Sequence, residues 1–368
     1  MNSSFSGSYN TEDVEFLVTR LPAQPTIAVA RKEQLIQSGQ RHYSQMLSAE
    51  TAPSTTYQKL FTDACTSNGA RMAKECLTLT ALIAARKSGA ITLVSLMRGG
   101  TPLGVIITRL LRRWLGREVR HYSVSIVRDR GLDTVALTSI LKRGAAAESI
   151  VFIDGWTGKG VIARELKSSI EAFNLLHGLH IDSGLYALVD LAGVSLGAAS
   201  GSDYLLPSSI LNATVSGLLS RSVLADAIGP GDFHGCVYYS HLAAADVSQW
   251  FVDLITDLAL DQCAQGLSPH QLATQAVNTE QLAASAQAFL QATQATFAIN
   301  DINLIKPGIG EATRVLLRRV PRLLIVRDLA AQEVAHLRVL AAEKSVPVLE
   351  DAHLPYQAVS LIKSSPDG

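Results

Sequence analysis

The sequence has little charge and no excess of either sign: lysine plus arginine number 32, aspartate plus glutamate 32, and charged residues make up 17% of the 368. A balance of this kind excludes whole-molecule attraction to nucleic acid or to an anionic membrane, so any such attraction has to be local. Long apolar runs are missing, and the opening MNSSFSGSYNTEDVEF lacks the basic start and apolar stretch of a secretory signal. These absences predict a cytoplasmic protein with no membrane partner. Cysteine is scarce: Cys65, Cys76, Cys236 and Cys263 have no paired metal-ligand spacing and are too sparse for a disulfide scaffold. Reduced, mostly buried thiols are expected, with no metal held by protein side chains.

Apolar residues, by contrast, supply 48% of the chain, enough for a large core, and the length exceeds what one core usually supports. Residues 1–90 read mainly as helix, with apolar positions at helical intervals over Arg31 to Ser48 and Tyr57 to Arg86, and predict a helical cap. From Ile91 the texture changes to the short apolar runs ITLVSLM, REVRHYSVSIV, SIVFIDG and LYALVDLAG, separated by helical stretches. That alternation predicts an α/β core with a parallel sheet, which together with the helices that follow occupies 91–300. The tail reads KPGIGEATRVLLRRV, RLLIVRD, AQEVAHLRVLAAEK and VPVLED, an α-β-α-β pattern that predicts a small domain over 303–368 with a core of its own.

The strongest chemical signal is SIVFIDGWTGKGVIARELKSSIEAF, an apolar strand expected to end at Asp154 and pass through a Gly-rich turn into a helix. Backbone N–H groups of Thr157 to Gly160 converge there on an anion at a helix N-terminus, with Gly155, Gly158 and Gly160 permitting the tight turn. Thr157 and Lys159 add a hydroxyl and a positive charge, and Asp154 is placed to accept hydrogen bonds from ribose hydroxyls. A Walker A loop fails on spacing, because Ile153 stands five before Gly158 and Gly160 follows Lys159. A second strand ends in Arg98-Gly99-Gly100-Thr101, a turn suited to a diphosphate. Two such turns at strand ends are what an open α/β fold needs to hold one polyphosphate.

RGGTPLG followed some fifty residues later by FIDGWTGKG resembles the pyrophosphate and ribose-phosphate loops of type I phosphoribosyltransferases. The runs QSGQRHYSQML, HYSVSIVRDRGLD, FIDGWTGKG and DYLLPSSILNATVSGLLSRSV resemble, over most of residues 12 to 255, a bacterial family linked to tellurium-resistance and stress gene clusters, named both as a phosphoribosyltransferase and as the cysteine protease StiP. The resemblance implies a Rossmann-like phosphoribosyltransferase core under the helical cap. It implies transfer of ribose 5-phosphate from phosphoribosyl pyrophosphate, carrying Mg²⁺, to an unidentified base or small acceptor. Asp154, Arg128 and Arg130 would act at the reacting sugar, the two arginines from the mobile loop such enzymes close over the site. One departure stands out: the family of enzymes usually has paired acidic residues where this chain has Asp154-Gly155.

His42-Tyr43-Ser44, His121-Tyr122-Ser123 and Tyr239-Ser240-His241 are further pocket candidates, and Asp203-Tyr204 with Asn212 to Ser216 mark an acceptor neighbourhood. For the protease name, His234-Gly235-Cys236 is the one close pairing and makes Cys236 the candidate nucleophile. The tail resembles the RNA-binding fold of Pelota and the L7Ae proteins, which implies RNA contacts from an exposed Gly310, Glu311 and Arg314. Lys306, Arg314, Arg318, Arg319, Arg322 and Arg327 supply the local positive charge RNA binding needs. A non-catalytic sensor of phosphoribosyl pyrophosphate that regulates RNA binding is the alternative to an enzyme, and the protease is the third reading. A homo-oligomer stays open.

Overall fold

The computed structural model describes residues 4–224, 228–275 and 277–363. Six parallel strands form the main sheet in the order Glu15–Leu17, Val119–Val124, Ile91–Leu96, Ile150–Thr157, Leu185–Asp190 and Gly197–Ser200. Ile91–Leu96 and Leu185–Asp190 are buried at every position, as expected of strands covered on both faces. Parallel neighbours need crossovers, supplied by the helices Gly100–Arg113, Thr134–Lys142 and Val161–His177. From Ile91–Leu96 the chain moves outward to Val119–Val124 and then returns across the sheet to Ile150–Thr157. The strand order therefore reverses between Ile91–Leu96 and Ile150–Thr157, and the crevice of an open α/β sheet lies at such a reversal.

The expected helical cap over residues 1–90 is corrected by this topology. Glu15–Leu17 is an edge strand of the main sheet, and Thr19–Leu21 pairs with Gly235–Val237. The long helix Thr55–Arg86 buries Met72, Cys76, Leu79 and Ile83 and packs against the helices Ser248–Ala264 and Gly100–Arg113. The N-terminal segment is thus part of the core because its apolar stripe needs those partners.

Helix Gly100–Arg113 lies tight on the sheet. A Cβ at Gly104 would stand 2.3 Å from His121 Nε2, so only glycine fits. His121 itself bonds Ser95 Oγ at 2.8 Å and the Asp13 carbonyl at 2.8 Å, which places this triplet in the core and not in a pocket. Further along the helix, Arg109 forms a two-pronged pair with Asp13 at 2.9 and 2.5 Å and reaches Asp253 at 2.7 Å.

The C-terminal unit is a four-stranded sheet in the order Ile305–Pro307, Ala358–Ile362, Pro321–Val326 and Val348–Glu350, covered by the helices Ile309–Arg318 and Ala335–Glu343. The strands at 321–326 and 348–350 fall in the expected places, while the outer and central partners at 305–307 and 358–362 are additions. The sequence pattern predicts a separate core. Instead Ile309, Ala312 and Leu316 belong to one apolar cluster with Leu191, Tyr204 and Ile210 of the main body. Among the described residues no helix is long and apolar enough to cross a membrane.

Asp13 and Arg109 are both almost wholly buried, so removing one partner strands the other charge in a low-dielectric interior. Asp13→Ala is expected to lower unfolding free energy by about 3 kcal/mol, measured by urea denaturation; a loss of only a few tenths would mean that Asp253 alone satisfies the guanidinium.

Candidate functional site

The sequence pattern ends the phosphate-loop strand at Asp154, but pairing with Leu185–Asp190 continues through Trp156 and Thr157. The partner Ile91–Leu96 leaves the ladder after Ser95, opposite Ile153, so Asp154 to Thr157 form an extension paired on one side. The turn itself is Gly158 to Gly160. Gly160 has φ of 71° and opens helix Val161–His177, a left-handed conformation that favours glycine. The N–H groups around the start of a helix lack intrahelical acceptors and point outward along its axis.

Thr157 does not offer its hydroxyl to a ligand: Oγ1 donates to Asp190 Oδ1 at 2.5 Å. Asp190 also accepts from the N–H groups of Ala192, Gly193, Val194 and Ser195 and from Ser195 Oγ. Burial works against its charge, yet these bonds outweigh that and hold the carboxyl below its ordinary range. Asp190 locks two neighbouring turns together. Its signal was legible as an aspartate at a strand end followed by small residues.

The second turn packs on the strand that leads into the first. Seen from Gly99, a Cβ would lie 3.4 Å from Asp154 Oδ1, and one at Gly100 would lie 2.7 Å from the Ile153 carbonyl. The Met97–Arg98 peptide is cis. Arg98, expected to grip pyrophosphate, turns away: Nη1 donates to Glu50 at 2.7 Å and to the Leu219 carbonyl at 3.1 Å, and Nη2 to Asn212 Oδ1 at 3.2 Å. Thr101 is fully buried with Oγ1 2.7 Å from Ser123 Oγ. Glycine backbone, then, is what this turn presents.

Asp154 and Trp156 alternate onto one face of the strand extension, and the C-terminal unit covers it. Arg314 places its guanidinium carbon 5.2 Å from the Trp156 ring centre, and Glu311 pairs with Arg314 at 3.2 Å. Burial pushes Asp154 up to about 7, against the Gly155 N–H bonded at 2.7 Å and the pull of Arg314. Lys159 donates to the Ile302 carbonyl at 2.5 Å, and burial, reinforced by Lys306, brings it down to about 7. Gly310, Glu311 and Arg314 therefore do not form the open surface expected for RNA; they face the main body, and a Cβ on Gly310 would stand 3.2 Å from Ser209. The side chain of Arg318 lies outside the described set.

Asp203, expected as an acceptor contact, is the clamp of this arrangement. Its two oxygens accept from Ile309 N at 2.9 Å and Gln357 N at 2.8 Å. Burial raises the carboxyl to about 6 despite those bonds. Tyr204 is committed to Glu75 at 2.6 Å.

The Arg128–Arg130 segment is the tip of a hairpin between Ile126–Val127 and Gly131–Leu132, tied to helix Val161–His177 by Asp129 N–Glu165 and Leu132 N–Ser169 bonds. Arg128 reaches Asn303 Oδ1 at 3.1 Å on the side of the phosphate turn. Arg130 lies on the other side, exposed at the rim of a cavity of about 560 Å³ that it shares with His234. The two arginines thus do not converge on one substrate atom.

Cys236 is fully buried on a strand, and burial pushes its thiol up to about 12. His234 directs Nδ1 to Ser125 Oγ at 2.8 Å. Burial likewise raises Cys65 to about 12 and lifts Cys76 and Cys263. The thiolate is the nucleophile, and a thiol at about 12 is ionised to roughly one part in ten thousand at pH 8. Native-state alkylation at pH 8 is expected to leave Cys65, Cys76 and Cys236 unmodified; rapid, single-site labelling of Cys236 would contradict the burial argument.

Two family models match the chain: tellurite-like stress resistance cysteine protease StiP over residues 7–256, and the PELOTA RNA binding domain over residues 284–364. A relative named cysteine protease StiP, from Acinetobacter baylyi, is 40% identical over 375 aligned residues, spanning 99% of this chain and 95% of that protein. Among solved structures, hypoxanthine phosphoribosyltransferase from Trypanosoma cruzi, a point mutant complexed with the product IMP, matches 54% of this chain and 89% of its own at 11% identity and a TM-score of 0.26, too loose to carry an argument. On the first match and the near full-length relative, the chain belongs to the StiP family, and its C-terminal residues match the PELOTA RNA binding domain.

Proposed function

We propose that the crevice between Gly99-Gly100 and Asp154–Gly160 binds phosphoribosyl pyrophosphate and that the chain is a phosphoribosyltransferase. One observation carries this reading: two glycine turns stand at the carboxyl ends of the two strands between which the sheet order reverses, and Gly99-Gly100 packs on the strand that leads into the other turn. The 5-phosphate would take the backbone N–H groups of Gly158 to Gly160 and the ammonium of Lys159. Pyrophosphate would lie along Gly99 and Gly100, and Asp154 would accept from the ribose hydroxyls. Transfer then breaks the bond from the sugar C1 to the pyrophosphate oxygen and forms one from C1 to the acceptor. Positive charge at C1 in that passage is favoured by an ionised Asp154 nearby.

One carboxylate, with Gly155 where a second would stand, is a poor cage for a metal. Mg²⁺ fits here as an ion carried by the ligand's own diphosphate and water, with Asp154 as the one protein group at hand. The PELOTA domain supports a further partner, RNA, although the Gly310–Arg314 turn has to leave the crevice before it can serve one.

The relative's name favours thiol chemistry, but the four cysteines of this chain, three of them buried and all with raised pKa, do not, and Cys236→Ser is expected to leave activity intact. Binding without turnover is the remaining alternative; measuring pyrophosphate release separates it from transfer.

Asp154 and Lys159 both titrate near 7 in the free protein, in opposite senses. Below that pH Asp154 gains a proton and loses acceptor strength; above it Lys159 loses its charge. Affinity for phosphoribosyl pyrophosphate is therefore expected to peak near neutrality. In calorimetric titrations, Lys159→Ala should weaken binding roughly ten- to a hundredfold at the peak and flatten the alkaline limb. Asp154→Asn should flatten the acidic limb relative to wild type, beyond what the ligand's own phosphate titration contributes. Unchanged affinity in the folded lysine variant would place the phosphate elsewhere.

A further inference from the structure

The phosphate turn lies under the start of the C-terminal helix. A Cβ built on Gly158 would stand 3.8 Å from Glu311 Cγ and 3.9 Å from the Pro307 carbonyl oxygen. Arg314 and Lys306 outweigh burial and keep the Glu311 carboxyl below its ordinary range, so it stays ionised. Lys159 is held by the Ile302 carbonyl, and Arg128 by Asn303, both in the segment that leads into the C-terminal sheet. Two cations that an arriving phosphate would meet are thus engaged by the C-terminal unit, and the Glu311 side chain lies over the turn with its carboxylate paired to Arg314.

The unit is seated by two further contacts, the Asp203 clamp and the close approach of Gly310 to Ser209. Carboxylate and phosphate share the same preference for backbone N–H donors and cations at such a turn. A phosphate on the turn would stand beside the ionised Glu311, and like charges in a poorly solvated crevice repel strongly.

We infer that the C-terminal unit is an autoinhibitory plug: the start of helix Ile309–Arg318, with the charge of Glu311, stands over Gly158–Gly160, and a phosphate-bearing ligand has to displace it to reach the turn. The inference rests on the turn being the phosphate site. Ligand entry and release of the 309–314 helix start are then one event. By reciprocity, anything that captures the released helix start opens the crevice, with the same coupling in both directions.

The test uses the full chain and ribose 5-phosphate as probe, titrated by calorimetry into wild type, Glu311→Gln and Gly310→Leu, the last a steric wedge against Ser209. Amide exchange of residues 302–314 is followed in parallel. Both variants are expected to bind roughly tenfold tighter than wild type, and ribose 5-phosphate is expected to speed exchange of that segment in wild type. Equal or weaker affinity in both folded variants overturns the plug while leaving the loop reading in place. Adding Lys159→Ala to Glu311→Gln is expected to abolish the gain. A gain that survives it, or no binding to any of these proteins, overturns the loop reading and the plug together.

Discussion

Asp203 is the contact on which the rest of the candidate site depends. Its carboxylate takes one N–H from the start of the C-terminal helix and another from the loop before the last strand, so this buried side chain ties the C-terminal unit to the main body beside the apolar cluster they share. With the unit seated, Asp154 and Lys159 are shielded from water, and both are driven toward neutrality from opposite sides. Without it the strand extension carrying Trp156 would be open, and neither shift would have a cause. Sites that tune acid and base groups to neutral pH are built by burial of this kind.

Within the crevice, side chains and backbone divide the work. Arg98, Thr101 and Thr157 have the right chemistry for phosphate, yet each is spent on a structural partner: Glu50, Ser123 and Asp190. What they do is hold the two turns in shape, which is how a binding constellation becomes rigid. On the proposed reading, recognition falls to glycine backbone, to Lys159 and to Asp154. Asp190 contributes without touching a ligand, since its bonds join the phosphate turn to the next strand end.

Much of this was legible from residues alone. Four apolar runs marked the inner strands, and Gly-rich turns at their ends marked the crevice, because strand period and glycine chemistry are local properties. Glu15–Leu17 was not legible: three residues are too few to show a period, and a short edge strand exists only because Val119–Val124 offers it a partner. The one-sided extension to Thr157 depends on where a neighbouring strand departs, again a non-local fact. Most telling is the Gly310–Arg314 turn, which reads as an exposed nucleic-acid contact until the Asp203 clamp, more than a hundred residues away in sequence, folds it onto the crevice. A basic stretch gives its charge but not its direction.

The central claim is that the Gly158–Gly160 turn receives the phosphate of a ribose 5-phosphate ligand. A crystal structure of the chain with phosphoribosyl pyrophosphate and Mg²⁺ tests it most directly. The account predicts the 5-phosphate on the N–H groups of that turn, the ribose hydroxyls at Asp154 and Glu311 withdrawn from Gly158. Phosphate bound elsewhere, with Glu311 still against the turn, would contradict it.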